Sequence, residues 1–300
     1  MKKMALLSHF FIEMIIFLFG LNGFLLNLYN QKNQLIHLMK TNTLKRIALV
    51  SAAALLTCSA AFGAKKAPKI DVAQALSGYF TPATDEAATP DSKGFIRRWL
   101  LLEPISKPNR SNTVFTDSYI REAFSKEYYE GQFTTLPTDG QKVKVMVEDQ
   151  PPVNLSGGRP SFNAAPAEPV FKKETLTWYA LDSKLFNVKI FRFATCLDKT
   201  RYGVIFEAWT VIEAPEDMEV RLAVGSNSAS MWWLNGEEAV ILSGDRRMVA
   251  DDCVSKRLTL KQGKNYLRGS IINGPGMSDF CVRFIDEAGN PVKNLKVYTK

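Results

Sequence analysis

Histidine is nearly absent from this sequence of 300 residues. The only two are His9 and His37, so no imidazole follows position 37. Serine hydrolases of the usual kind need an imidazole to carry the serine proton, and zinc deacetylases need imidazole or thiolate ligands. Neither mechanism can be assembled from the rest of the chain. The segment GSNSA, Gly225 to Ala229, also lacks the closing glycine of a G-x-S-x-G nucleophile elbow.

Cysteine is also sparse, with four in the whole sequence: Cys58, Cys196, Cys253 and Cys281. Their spacing contains no C-x-x-C pair and no Cys/His zinc pattern. The last three are too scattered for a disulfide framework, although one pair remains an alternative after export. We therefore expect neither a metal site nor another cofactor.

The excess of basic residues is concentrated near the N-terminus. Residues 1–63 carry six basic side chains and one acidic one, which accounts for +5 of the net charge of +8 and leaves +3 for the rest. A charge of +3 on more than two hundred residues is unremarkable, so the high isoelectric point does not argue for nucleic acid. We therefore expect no nucleic-acid partner.

Residues 39–63 have the pattern of a secretory signal peptide. A basic start precedes the apolar run Ile47–Leu56, and small residues lead to a cleavage point before Ala64. The alternative is a lipoprotein signal in which Cys58 is acylated. The sequence thus predicts an exported protein, located in the periplasm, outside the cell or on the cell surface.

A second apolar stretch, Phe10–Tyr29, is about as long as a membrane span. Because a complete export signal follows it, we interpret residues 1–38 as an over-extended start, with a membrane segment as the alternative. Contact with a membrane is expected only if Cys58 is lipidated or residues 10–29 are retained.

Composition divides the rest of the chain. Residues 64–92 are small, polar and dotted with proline, which predicts a linker. Residues 93–300 are predicted to form one domain, with a flexible insertion rich in Pro, Gly, Ser and Asn at about 148–169. No internal repeat is present.

Alternating apolar and polar residues dominate residues 93–300. The predicted strands lie in GFIRRWLLLEPI, TLTWYAL, NVKIFRFATCL, YGVIFEAWTVIEA, EVRLAVG, SMWWLNGEEAVIL, RLTLKQGKNYLRGSII, FCVRFID and NPVKNLKVYT. Asn235-Gly236 predicts a type I′ hairpin turn, with further turns at Gly263 and Gly289. One amphipathic helix is predicted around Ile120, Phe124 and Tyr128, capped by Thr116 or Asp117 and ended by Gly131. This pattern predicts an all-β fold, an antiparallel β-sandwich with one short amphipathic helix.

The pair Trp232-Trp233 lies on one predicted strand, so the two indoles must point to opposite faces. Since Trp232 shares its face with Leu234, we expect Trp232 in the core and Trp233 outward. An outward indole beside polar side chains suits a sugar, whose C–H groups lie on the ring while its hydroxyls form hydrogen bonds. The alternative is that Trp233 only packs beneath the helix or the front segment. The candidate ligand-binding residues are Trp232, Trp233, Asn227, Asp245, Arg246, Arg247, Asn273 and Asp279.

Three stretches carry a resemblance to a known family: GSNSASMWWLNGEEAV, RLTLKQGKNYLRGSIING and FCVRFIDEAGNPV. They resemble the jelly-roll half of galactose-binding-like domains, and GFIRRWLLLEPI is similar to the opening strand of such domains in secreted bacterial carbohydrate-active proteins. The resemblance covers residues 93–300 and implies a jelly roll. The whole chain also resembles proteins that carry the name acetylxylan esterase.

Two kinds of function remain open beside sugar binding. The first is an acetylxylan esterase or another carbohydrate-active hydrolase. A glycosidase needs only two carboxylates, and the candidates are Glu207, Asp245, Asp251, Asp252 and Asp279. The second is a structural or interaction domain of the cell envelope. We favour a non-catalytic accessory module that binds a polysaccharide or oligosaccharide of the xylan type, beside a separate catalytic protein.

Overall fold

A computed structural model describes residues 71–106, 115–149, 170–244, 246–273 and 277–300 of the chain. The predicted signal peptide and the segment before it lie outside the described residues, and so do residues 150–169 of the predicted insertion. Glu148 and Asp149, at the start of that insertion, belong to a paired strand. No helix among the described residues is long and apolar enough to cross a membrane.

Antiparallel strands form most of the described structure. The helices are α1 (Val72–Leu76), α2 (Asp117–Ser125) and α3 (Ile190–Cys196). The strands are β1 (Phe80–Pro82), β2 (Arg98–Leu102), β3 (Ile105–Ser106), β4 (Lys142–Asp149), β5 (Val170–Ser183), β6 (Val204–Ala214), β7 (Met218–Ser226), β8 (Ala229–Leu234), β9 (Glu237–Leu242), β10 (Cys253–Val254), β11 (Leu258–Leu260), β12 (Gly263–Asn273), β13 (Phe280–Ile285) and β14 (Lys296–Tyr298).

These strands form a large and a small sheet within the described part of the chain. The large sheet has the order β1-β5-β2-β6-β12-β8-β9, with β3 and β14 also paired to β6 and β4 paired to β5. In the small sheet, β7 pairs with β10, β11 and β13. The predicted antiparallel sandwich is confirmed, whereas its jelly-roll order stays a prediction.

The main core lies between the two sheets. On β6, Val204, Phe206, Ala208 and Ile212 point inward, where they meet apolar residues of β7 and β13. The opposite side of β6 contributes to a second cluster, which α2 and β4 cover. Both faces of the large sheet are therefore buried over much of its area, so its central strands are largely apolar on both sides.

Helix α2 is the predicted amphipathic helix. Thr116 is its N-cap, and the side-chain oxygen accepts a hydrogen bond from the Tyr119 amide. Ile120, Phe124 and the following Tyr128 are buried in the second cluster, as the four-residue spacing predicts. The helix ends at Ser125, because Lys126 is already extended, and not at Gly131.

The prediction of a single helix was wrong, because α3 occupies part of a segment that was predicted to be a strand. Its aromatic and β-branched residues favour a strand locally, but Ile190, Phe193, Ala194 and the following Leu197 are buried at a spacing of three and four residues. That spacing puts them on one face of a helix, which packs into the main core. Burial therefore overrode local propensity.

The predicted linker does not extend through residue 92. From Asp71 onward the chain forms α1 and then β1, which pairs with the end of β5. Leu76 and Phe80 are buried in the main core. Arg98 stabilises the loop that follows β1, because its guanidinium group donates to the Asp182 carboxylate and to the backbone oxygens of Thr84 and Glu86. This part of the segment is therefore an edge of the domain.

Gly269 on β12 makes room for the indole of Trp232, its partner on β8. A methyl group at Gly269 would overlap the six-membered part of that ring, which the main core surrounds. We expect Gly269→Ala to lower the free energy of unfolding by about 1–3 kcal/mol, as overpacking of a core does. Urea denaturation measures this change. Gly236→Ala at the exposed turn is the comparison, since its added methyl group meets no atom and only its positive φ is strained. An unchanged midpoint for Gly269→Ala would contradict the close packing.

Candidate functional site

The two neighbouring tryptophans do point to opposite faces, as predicted. Trp232 is 0% exposed, and its ring centroid lies 5.8 Å from that of Trp99 and 5.2 Å from that of Phe280. Its indole N–H donates to Ser230 Oγ at 3.0 Å. Trp232 is therefore a core residue, and its prediction as a ligand-binding residue is wrong. Trp233 is partly exposed on the outer face of the large sheet.

A β-bulge lies next to this pair but does not disturb the alternation. Trp232 pairs with Val240 and Trp233 with Glu238, so Ala239 is the additional residue and the bulge belongs to β9. Strand β8 keeps its regular pleat. This is why the alternation read from the sequence holds at both tryptophans.

Trp233 belongs to a row of side chains across the outer face. The strand register aligns Trp209 on β6, Arg268 on β12, Trp233 on β8 and Glu238 on β9. The Arg268 guanidinium carbon lies 3.6 Å from the Trp233 ring centroid. A guanidinium at this distance stacks on an indole, so it covers one face of Trp233 and fixes the orientation of the ring.

Arg268 is itself held by a buried acid. Its guanidinium is 3.4 Å from the Glu207 carboxylate, which also accepts a hydrogen bond from Ser270 Oγ at 2.7 Å. Burial raises the pKa of Glu207, an effect that Arg268 and Ser270 oppose. Burial likewise lowers the pKa of Arg268, against the influence of Glu207. The ion pair of Glu207 and Arg268 is thus buried, and it holds the guanidinium group that stacks on Trp233.

An open cleft of about 700 Å³ lies above this ion pair. Phe133, Thr134 and Leu136, from the loop after α2, line one side, and residues from the β8–β9 turn and β12 line the other. Tyr266 is 40% exposed, the largest exposed aromatic surface of the cleft, whereas Trp233 and Trp209 contribute less exposed rings. The cleft thus combines aromatic rings with polar and cationic groups, the composition of a small-ligand site.

Two asparagines hold the turns at the rim of the cleft. Asn235 Oδ1 accepts from the Tyr266 amide at 2.8 Å, and its Nδ2 donates to Asn265 Oδ1 at 2.9 Å. Asn265 is fully buried, and it also bonds the backbone of Lys261 in both directions. Asn235 and Gly236 both have positive φ, as the predicted type I′ turn requires. The asparagines therefore position Tyr266 rather than offering free amides to a ligand.

Most of the other predicted site residues lie at the opposite end of β8. Asn227 precedes that strand, so it lies at most about 20 Å from Trp233 at the usual rise per residue. Asn227 Oδ1 accepts from the Asp279 amide at 3.1 Å, and the neighbouring Ser228 amide donates to Arg246 O at 3.1 Å. The structure thus brings Asn227, Asp279 and Arg246 together, but separates them from Trp233.

Most polar groups at this end of β8 already have partners, although the buried Asn273 Oδ1 has none among the described residues. The Asp279 carboxylate pairs with Lys189, and burial raises its pKa against the effect of that lysine. Arg246 pairs with Asp252 at 2.6 Å. Asn273 is 0% exposed and donates to the Arg201 backbone oxygen. Together these contacts form a network that stabilises the fold, and they leave few polar groups free to bind a sugar.

Two predicted site residues have no part in this network. Arg247 is exposed, and Asp245 lies outside the described residues. The single site predicted from the sequence is therefore two separate places, and only Trp233 belongs to the cleft.

Tyr266 was not predicted, although the sequence contains a signal for it. In GKNYLRGSII, Lys264, Tyr266 and Arg268 alternate with the inward Leu267 and Ile271, so they share the outer face of β12. The missing information was the pairing of β12 with β8, which places Arg268 opposite Trp233. That pairing joins segments more than thirty residues apart, and periodicity within one strand does not contain it.

Four of the five carboxylates considered for a glycosidase have cationic partners in the described part of the chain. No group of three or more His, Cys, Asp or Glu side chains in the described ranges could hold a metal ion. Of the carboxylates considered for a glycosidase, Asp251 pairs with Arg283, and Asp252 and Asp279 have their own cations. Glu207 pairs with Arg268 beneath the cleft, on the same outer face of the large sheet as Trp209.

The three cysteines of the described chain carry free thiols. Cys253 and Cys281 belong to β10 and β13, which both pair with β7. Burial raises the pKa of the Cys281 thiol to about 12, so it is protonated and unreactive near neutral pH.

Comparison with known proteins gives similarity of fold only. No protein-family model matches the chain, and no curated protein matches it. Solved structures that are similar include a PA14 sugar-binding domain from an RTX adhesin, with a TM-score of 0.34 and 8% identity over 67% of this chain and 96% of that one. The PA14 domain of the antifreeze protein MpAFP has a TM-score of 0.32 and 12% identity, covering 71% of this chain and 93% of that one.

A β-glucosidase from Kluyveromyces marxianus has a TM-score of 0.29 and 16% identity, and the match covers 67% of this chain and 20% of that enzyme. At such scores the similarity does not extend to a ligand. The galactose-binding-like family and the acetylxylan esterase name stay expectations from sequence resemblance. What the fold and the cleft define is the class, an antiparallel β-sandwich with an aromatic cleft on its outer face.

Proposed function

We propose that this chain is a non-catalytic carbohydrate-binding module whose glycan lies in the cleft beside Tyr266 and Trp233. The observation that carries the proposal is the exposed ring of Tyr266 at a cleft whose wall also contains Trp233 stacked on Arg268. The C–H groups of a pyranose pack on such rings, while its hydroxyls bond to the polar groups around them.

The stacked Arg268 supports this proposal in a particular way. A side chain that contacts a sugar binds more tightly if its orientation is already fixed. If the side chain is mobile, the cost of ordering it on binding lowers the affinity. Arg268 covers one face of Trp233, and Phe124 meets the same indole edge-to-face at 6.3 Å. Trp233 therefore has the packing role that was considered as the alternative. The same packing holds the ring in one orientation, so that a ligand can bind to its remaining exposed surface.

The finer parts of the proposal concern the setting of this module. We infer a glycan of the xylan type and an exported protein that acts in the periplasm, at the cell surface or outside the cell, beside a separate catalytic protein. The signal-like residues 39–63 and the absence of histidine after position 37 support this setting.

Affinity electrophoresis in gels of xylan, acetylated xylan, pectin and mannan tests the site. We expect at least one glycan to retard the protein, and Tyr266→Ala to weaken that binding by about tenfold or more, which corresponds to about 1.4 kcal/mol. Trp233→Ala should also weaken binding, because it removes both a ring and the partner of Arg268.

Tyr202→Ala is the matched control, because Tyr202 is a comparably exposed tyrosine, 37%, that packs on Phe191 and Arg201 away from the cleft. If Tyr202→Ala abolishes the retardation and Tyr266→Ala does not, the glycan binds outside the cleft. If no glycan retards the parent protein, Trp233 is a packing residue, and capture of partners from an envelope extract becomes the next experiment.

A further inference from the structure

The charged residues that line the cleft are all cationic. They are Lys261, Lys264 and Arg268, and no carboxylate is among the described lining residues. Lys264, Tyr266 and Arg268 follow each other on the outer face of β12, so the ammonium group and the exposed ring belong to the same side of one strand. A ligand that lies on Tyr266 therefore lies beside positive charge.

Two acids near the cleft have cationic partners among its lining residues. Glu207 pairs with Arg268 beneath the floor, at 3.4 Å. Asp217 pairs with Lys261 at 3.0 Å, and this acid also accepts from the Gln262 amide. These contacts compensate two of the three cations of the lining.

Lys264 is the cation that remains. It stands opposite Glu213 on β6, but Glu213 pairs with Lys296 at 3.3 Å. The Lys264 ammonium lies 5.9 Å from the Tyr298 ring centroid and 3.4 Å from the main-chain oxygen of Lys300, and no ion pair joins it to a carboxylate side chain in the described ranges. The hydrogen bond to Lys300 uses one of the three N–H donors of this exposed ammonium group, so the other two can bind a ligand beside the aromatic surface.

We infer that the glycan of this cleft is acidic and that Lys264 binds a uronate carboxylate. The inference rests on the proposed function, and it adds the chemical class of the ligand. Residues two apart on a strand are about 7 Å from each other along it, a distance that one sugar unit spans. A sugar on Tyr266 therefore places a carboxylate of the same or the adjacent unit within reach of Lys264, whose side chain is exposed.

A matched pair of ligands tests the charge alone. Glucuronoxylan is compared with the same polymer after its carboxyl groups have been reduced to alcohols, by affinity electrophoresis and by calorimetry with the purified full-length protein. We expect the native polymer to bind about five- to tenfold more tightly. This preference should decline between about 20 mM and about 500 mM NaCl, because salt screens exposed charges.

Lys264→Gln should remove the preference and leave binding of the reduced polymer unchanged. Lys144→Gln is the control, since Lys144 is an exposed lysine on β4 that does not line the cleft. Equal binding of both polymers by the parent protein overturns the acidic ligand and leaves the proposed function standing. A preference that Lys264→Gln retains overturns the assignment to Lys264. If the parent binds neither of these polymers nor any neutral glycan, the proposed function itself fails.

Discussion

Trp232→Ala is expected to lower the free energy of unfolding by about 3–5 kcal/mol, the usual loss when a fully buried aromatic side chain is truncated. Trp232 is 0% exposed and contacts the rings of Trp99 and Phe280 edge-on. Its removal also leaves Ser230 without the indole donor. Urea denaturation followed by far-ultraviolet circular dichroism measures the loss, because the midpoint falls in proportion when the slope is unchanged.

The neighbouring residue provides the matched comparison. Trp233→Ala removes a ring that is partly exposed and is bounded by Arg268 and Phe124. We expect this change to lower the free energy of unfolding by about 1–2 kcal/mol, because the Trp233 ring buries less apolar area than the Trp232 ring. Equal losses at the two positions would contradict the assignment of one indole to the core and the other to the cleft.

Arg268→Met is expected to lower the free energy of unfolding at pH 7 by about 3–5 kcal/mol, since it leaves a buried carboxylate without its cation. Glu207 is 2% exposed, and Arg268 is 7% exposed. Methionine keeps much of the aliphatic volume beside Trp233 and Phe133, so the change tests charge more than packing. The same denaturation experiment measures it.

The pH dependence of this variant has a definite sign. Burial already raises the pKa of Glu207, and without Arg268 the pKa rises further. The folded form then binds a proton that the unfolded form releases above about pH 4.3, so stability falls as the pH rises from that value through the folded pKa. The loss caused by Arg268→Met should therefore be much smaller near pH 4 than at pH 7.

A double variant separates the charge from the shape. Glu207→Gln with Arg268→Met removes both charges of this buried pair, and Ser270 still has a partner in the amide oxygen. We expect it to recover most of the stability that Arg268→Met loses at pH 7. A loss that is the same at both pH values, and that the double variant does not recover, would mean that Arg268 matters through its packing on Trp233.

Local patterns were sufficient for several elements of this fold. The Asn235-Gly236 turn follows from two residues that tolerate positive φ, and the Thr116 cap follows from a hydroxyl before an apolar four-residue spacing. The opposite faces of Trp232 and Trp233 follow from the pleat of one strand. Each of these features depends on residues within a few positions of one another.

Other features required contacts between distant segments. Residues 190–196 contain the β-branched and aromatic residues of a strand, and only their burial against the main core makes them a helix. Residues 71–82 have the composition of a linker, yet β1 pairs with β5 about a hundred residues later. The sequence pattern does not contain such pairings, because they are chosen by the packing of the whole domain.

The candidate site shows the same division. The sequence alone determined that Trp233 points away from the main core and that, after position 37, no imidazole is available for a hydrolase. Only the tertiary structure shows that Asn227, Arg246 and Asp279 lie at a distance from that tryptophan. It also shows that Tyr266 and Arg268 lie beside it. The physical reason is that alternation assigns a side chain to a face of its own strand, whereas its neighbours on that face come from the register between strands.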